Sequence, residues 1–153
     1  MSQKYMKVEK IEHGTVIDHI LPSKAFDVLR VLGLSKDKSM SLLDNSHSKT
    51  GVFKDILKVE NVELSAEEAN LVALVSPEAT INIIVDRKVV RKFNAQAPSV
   101  VRGILKCSNP NCISNQNEPI TSEFKLHTED GGHGYVCTYC ERDIVDLAKR
   151  ITA

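Results

Sequence analysis

Short apolar runs of two different periods organise the chain. Residues 15–20 (Thr-Val-Ile-Asp-His-Ile) are rich in β-branched side chains and read as a strand after the His13-Gly14 turn. Residues 6–11 form a candidate leading strand. Pro22-Ser23 then opens a helix with an apolar stripe of Ala25, Phe26, Val28, Leu29 and Leu32, and Gly33 supplies its stop. Residues 39–43 and 55–60 read as strands, with 44–51 a polar loop between them. Ser65-Ala66-Glu67-Glu68 is a capping box: a serine at the N-cap and a glutamate three residues on. It starts a helix that carries Ala69, Leu71, Val72, Leu74 and Val75 and ends before Pro77. Residues 80–85 read as a fourth strand, Asp86-Arg87-Lys88 as a turn, and 89–93 as a returning hairpin partner.

That order is β-α-β-β-α-β, the ferredoxin-like pattern of an α+β fold. Two helices would cover one sheet face and leave the other open as a ligand platform or dimer interface. Many functions share the fold, so it names none. After a short stretch of small and polar residues at 94–99 the character changes. Residues 100–106, 122–126 and 134–137 read as short strands in a small, mainly β module, and 144–151 as closing helical turns. The expected division is 1–97 and 98–153. About 50 residues rarely build a sufficient core, so the second module needs a staple.

The cysteines supply one. All four lie in the second module: Cys107, Cys112, Cys137 and Cys140, spaced x4, then 24 residues, then x2. Two close pairs of thiolates match the four ligands of a tetrahedral zinc site, and a shell filled by protein has no open position for catalysis. Two disulfides or four buried thiols are the other readings of these cysteines. His127 and His133 lie between the pairs and are further candidate ligands.

Composition narrows the function. The chain has 153 residues, 42% of them apolar, with 20 basic and 20 acidic side chains. Residues 99–153 carry −1 and residues 1–98 carry +1. A phosphate-binding surface needs excess basic charge, so nucleic acid is disfavoured as a partner. No run reaches the ~18 apolar residues of a membrane span, and the N-terminal segment lacks the apolar stretch of a secretory signal. A cytoplasmic protein is therefore expected. Nucleophile-elbow, P-loop, zinc-protease and dinucleotide-binding motifs are all absent from the sequence. Asp18-His19 alone does not make an acid–base site. A binding or regulatory protein is favoured over an enzyme. A zinc-ribbon nucleic-acid-binding, translation or transcription factor is the alternative, and a small metalloenzyme a more distant one.

Several separated motifs stand together in order: Gly14-Thr15-Val16-Ile17-Asp18-His19-Ile20, residues 54–61 (Lys-Asp-Ile-Leu-Lys-Val-Glu-Asn), Cys107-x-Asn109-x-Asn111-Cys112-Ile113-Ser114 and Cys137-x-Tyr139-Cys140-Glu141. Over essentially its whole length the chain resembles the aspartate carbamoyltransferase regulatory chains. The resemblance implies a non-catalytic subunit of pyrimidine biosynthesis with one structural Zn2+ per chain. It implies an N-terminal domain that binds the nucleotide effectors CTP, ATP and UTP and forms a homodimer. It implies a zinc domain that holds the catalytic chain, in an assembly of six catalytic and six regulatory chains. Carried over by position, the nucleotide pocket falls on Val8, Glu9, Ile11, Asp18, His19, Lys58, Asn82, Ile84, Val89 and Lys92. The catalytic-chain contact falls on Asn109, Asn111 and Glu141. Arg87 stands where well-known members carry an aromatic residue. Simple strand alternation puts Asp18 and His19 on opposite faces, so one pocket can use both only at a strand irregularity.

Overall fold

The computed structural model describes residues 11–34, 38–47, 53–129 and 132–152. Its first module is a five-stranded antiparallel sheet in the order β2-β3-β1-β4-β5: β1 is Gly14–Ile20, β2 Met40–His47, β3 Phe53–Glu60, β4 Thr80–Val85 and β5 Lys88–Asn94. The first four strands have the ferredoxin-like arrangement, and β5 adds a hairpin edge. The expected α+β class and the β-α-β-β-α-β order of elements along the chain are observed.

β1 lies at the centre, with Val16 opposite Lys58 of β3 and Asn82 of β4. Its odd positions face the core: Thr15 and Ile17 are fully buried, beside Leu57, Val59, Ile81 and Ile83. Burying the Thr15 hydroxyl without a partner would be costly. It donates to Val62 O at 2.6 Å and accepts from Leu64 N. Gly14 cannot be replaced cheaply. Its φ is +144°, and a Cβ there would meet Val59 O at 2.1 Å.

Helix α1 (Ala25–Leu32) ends at Gly33 in the left-handed conformation, where the glycine N–H closes onto Leu29 and Arg30 carbonyls. Ala25, Val28 and Val31 are its buried residues, whereas Phe26, expected on the apolar stripe, is 67% exposed. Successive helical residues are ~100° apart, so a face centred on 25, 28 and 31 turns position 26 away from the sheet. The Ser65 capping box is present in both directions and starts α2 (Ala66–Asn70). The expected longer helix tightens into a 3₁₀ turn, Leu71–Leu74, where the chain must end before Pro77.

Strand β2 runs through 44–47, which the sequence reading placed in a loop, because those residues ladder with β3 and Ser46 pairs with Lys54. Backbone pairing at a sheet edge does not require apolar side chains. The leading strand expected at 6–11 lies outside the described residues except for Ile11, which is buried but not in a strand.

The second module is a three-stranded antiparallel sheet, β6 (Val100–Arg102), β7 (Glu123–Glu129) and β8 (Gly132–Cys137), in the order β6-β7-β8. β6 is shorter than expected because Gly103 takes φ +73°. The expected helical turns at 144–151 reduce to a 3₁₀ turn, Leu147–Arg150, since Asp146 at φ +54° breaks any longer helix. Phe124, Leu105 and Ile151 join the buried residues of the first module in one continuous apolar cluster. Among the described residues no helix is long and apolar enough to cross a membrane.

Candidate metal centre and nucleotide face

Two turns and one hairpin bring the four cysteines together. All four Sγ atoms lie within 4.8 Å of one another, with Cys107–Cys140 and Cys112–Cys137 each at 3.6 Å. Disulfide sulfurs sit ~2.05 Å apart, so no disulfide joins the four cysteines and the two-disulfide reading does not hold. Four sulfurs on a tetrahedron with ~2.3 Å metal bonds would be ~3.8 Å apart. The observed spacing therefore fits one zinc ion. Cys107, Cys112 and Cys137 are buried and Cys140 is partly so.

Burial pushes the Cys107 thiol up to about 12 and raises Cys137 as well. Burial also acts to raise Cys112. There, hydrogen bonds from the Ser114 hydroxyl and amide and from the neighbouring thiols outweigh it and bring the group down to about 7. Four thiolates cannot share this pocket without a compensating cation, which is what a metal dication supplies.

The backbone is braced around the shell. Asn109 Oδ1 accepts from Asn111 N, and Asn109 O accepts from Cys112 N. Asn115 Nδ2 reaches both Cys107 O at 2.9 Å and Asn109 O at 2.7 Å. Asn115 has no signature in cysteine spacing and went unnoticed in the sequence, and Ser114 was read only as part of the motif; their roles appear once the turn is closed. Glu141 follows Cys140 at φ +61° and donates its N–H to Cys137 O. Asn111 and Glu141 are exposed beside the cluster, while the Asn109 carboxamide is engaged in the local turn. His127 lies apart from the four sulfurs. Its Nε2 is 2.8 Å from Asp143 Oδ1, and the cluster that could hold a metal contains no histidine among the described residues. The side chain of His133 lies outside the described residues.

A second site forms on the open face of the five-stranded sheet. A recess of about 330 Å³ is lined by Ile11, Val16, Asp18, Lys58, Asn82, Ile84, Arg87 and Val89. Ile11, Asp18, Lys58, Asn82, Ile84 and Val89 were expected at one pocket and are brought together. Val16 and Arg87 were not among the residues assigned to it. Val8 and Glu9 lie outside the described residues. His19 and Lys92 do not line the recess but adjoin it: Lys92 is paired with Asn82 across β4 and β5, and His19 follows Asp18.

The conflict over strand alternation is resolved by a bulge. In β1, Ile17 pairs with Leu57 but Ile20 pairs with Asp55, so one extra residue is accommodated, and His19 takes φ +57°. Ile20 thereby returns to the core with 0% exposure. His19 Nδ1 stands 4.0 Å from Asp18 Oδ2 and 3.4 Å from Thr80 Oγ1. Asp18 Oδ1 is 2.8 Å from Lys54 Nζ. Lys54 belongs to the 54–61 motif but was not among the residues assigned to the pocket. It is a lone lysine at a strand start, and only the β1–β3 register brings it to Asp18.

At the opposite rim, Asp86 and Arg87 both have positive φ, as a tight hairpin turn between β4 and β5 requires. Arg87 N donates to Glu12 O, and its guanidinium lies 3.4 Å from Glu12 Oε1. The recess thus has an apolar wall of Ile11, Val16, Ile84 and Val89, with cations at both ends.

Residues 6–96 match the family described as the aspartate carbamoyltransferase regulatory chain, allosteric domain, and residues 99–147 match the metal binding domain of the same chain. Among curated proteins, the chain is 49% identical over 142 residues to the aspartate carbamoyltransferase regulatory chain of Methanosarcina barkeri, covering 91% of this chain and 90% of the relative. It is 46% identical to the regulatory chain of Methanococcus maripaludis strain S2, over 93% of this chain and 95% of that one. It is 49% identical to that of Methanococcus vannielii, over 91% and 93%.

Proposed function

From the premise that the chain belongs to the aspartate carbamoyltransferase regulatory-chain family, we propose that its open sheet face senses CTP, ATP and UTP and imposes feedback control on the catalytic chain. The family is the non-catalytic, allosteric subunit of an enzyme of pyrimidine biosynthesis, and a catalytic chain is its partner. This membership displaces the nucleic-acid-binding alternative.

The observation that carries the reading is the β1 bulge. It sets Asp18, His19 and Lys54 together at one end of a recess with an apolar wall. A base fits the apolar wall, a ribose hydroxyl can donate to Asp18, and phosphate oxygens can accept from Lys54, His19 and Lys92. The proposed work is divided between residues 1–97, which bind nucleotide and form a homodimer, and residues 98–153, which hold zinc and dock on the catalytic chain through Asn109, Asn111 and Glu141. The proposed assembly has six chains of each kind, in the cytoplasm. Nucleotide would bias two quaternary states by differential affinity, with coupling typically of about 1–3 kcal/mol.

The test is calorimetric titration of the zinc-loaded chain with CTP, with and without the catalytic trimer. Saturable binding and an altered aspartate response in the assembly are expected. Assembly without binding would reduce the chain to a structural subunit, and neither would remove the reading altogether.

A further inference from the structure

We propose that Arg30 is a positioning residue that straps the nucleotide-facing sheet to the metal module, so that nucleotide occupancy reaches the zinc site through α1. The proposal rests on the nucleotide reading above and adds a route to it.

The strap is visible at atomic detail. Arg30 Nη2 donates to Ile151 O at 2.7 Å, and Nη1 lies 3.4 Å from Ala148 O. The same Nη1 is 3.4 Å from Asp27 Oδ1, one helical turn back, which steadies the guanidinium. One side chain of the first module therefore holds two carbonyls at the end of the second. A planar fork with several donors suits that task better than a single ammonium.

On the nucleotide side, α1 is tied to the proposed phosphate end of the recess. Asp18 pairs with Lys54, and the next residue, Asp55, is fully buried. Asp55 Oδ2 accepts at 3.0 Å from Ala25 N, the first residue of α1. A phosphate that drew Lys54 away from Asp18 would pull on the strand that anchors the start of this helix. On the metal side, the segment that Arg30 grips is laddered to the approach to the first cysteine. Lys106 N donates to Arg150 O at 2.8 Å, Thr152 N donates to Ile104 O at 2.7 Å, and Leu105 bridges Ile151. Cys107 follows directly. The contacts thus run from the nucleotide rim to a metal ligand.

α1 and the C-terminal turn face each other across an open cleft of about 420 Å³, lined by Asp27, Arg30, Leu74, Val75 and residues 146–149. Open space permits movement there, and Asp146 at φ +54° marks the bend of the gripped segment. A polar strap across an open cleft leaves the gripped segment room for a second arrangement.

The test uses the full assembly with the catalytic chain and compares wild type, Arg30→Gln and Arg30→Lys. Zinc content, CTP affinity of the regulatory chain and the CTP-induced shift in half-saturating aspartate are measured on each. The expected result is unchanged zinc and CTP affinity, a CTP-induced shift reduced several-fold in Arg30→Gln, and an intermediate value in Arg30→Lys. Hydrogen exchange at the Lys106 and Thr152 amides should quicken in Arg30→Gln, which gives a second readout free of activity. A wild-type response retained in full by Arg30→Gln overturns the strap and leaves the nucleotide reading standing. Failure of the wild-type chain to bind CTP overturns both. Loss of zinc in Arg30→Gln would mark the residue as merely structural; Asp27→Asn, which frees the guanidinium and also releases Lys24 from its 3.9 Å pair, must then reduce the shift with zinc intact while Lys24→Met leaves it unchanged, or the proposal falls.

Discussion

The two modules make their sites by opposite means. The metal centre draws its four ligands from two short turns, and its geometry is set by residues that lie close in sequence within each pair. The proposed nucleotide face draws on four strands and the segments flanking them, and no two strands contribute adjacent pocket residues except through register. A site of the first kind is held by its ion. A site of the second kind is held by the core beneath it. The modules should therefore fail under different insults.

Metal removal is the largest expected effect. Chelation should abolish the cooperative fold of residues 98–153, because zinc sites of this kind contribute about 10–16 kcal/mol of binding free energy to folding. Cys112→Ser should act likewise. Protonation of thiolates opposes the metal, so its affinity should fall as pH falls. The check is zinc release by a chromogenic chelator, followed with far-UV dichroism. CTP binding to the sheet should survive, and its loss along with zinc would mean that the two sites are not independently held.

This division also explains what could be read from the sequence. Cysteine spacing reveals a closed tetrahedral shell because the constraint is local. The capping box at Ser65 and the stop at Gly33 were legible for the same reason. The β1 bulge was not: only the β1–β3 register shows that an extra residue lies between Ile17 and Ile20, and with it that Asp18 and His19 share a rim. Lys54 stayed hidden because a cross-strand ion pair has no sequence period. Phe26 was misplaced because one apolar residue beside a stripe looks like part of it.

The reverse insult is a cavity beneath the sheet. Leu57 of β3 is fully buried, and Leu57→Ala should cost about 2–5 kcal/mol. Urea unfolding should show that loss in the first module, with zinc content unchanged. An equal loss in both modules would show that the shared apolar cluster couples them into one cooperative unit.

A smaller effect separates the rim from the core. Lys54→Met removes one cation from the proposed phosphate end without opening a void. Hydrogen bonds to charged groups contribute about 1.5–3 kcal/mol, so CTP and ATP should each bind roughly 10- to 150-fold more weakly. Calorimetry with both nucleotides is the check, and equal affinity in the variant would take Lys54 out of the site.

The smallest effect lies where the second module begins. The Tyr135 hydroxyl of β8 donates to Pro98 O at 2.8 Å, and burial pushes the phenol from its usual 10 up to about 12. In the unfolded chain the same phenol ionises near 10. Between those values the folded state retains a proton that the unfolded state releases, so rising pH favours unfolding. The contribution is fully present below pH 10 and is lost as pH rises through about 12. Tyr135→Phe should cost about 0.5–1.5 kcal/mol at neutral pH through the missing hydrogen bond. The variant should also lose less stability than wild type between pH 9 and pH 11. Paired denaturation curves at the two pH values read this directly as a gap between the proteins that narrows with pH. A constant gap would mean that the phenol ionises equally in both states and that the Tyr135–Pro98 contact is open to water.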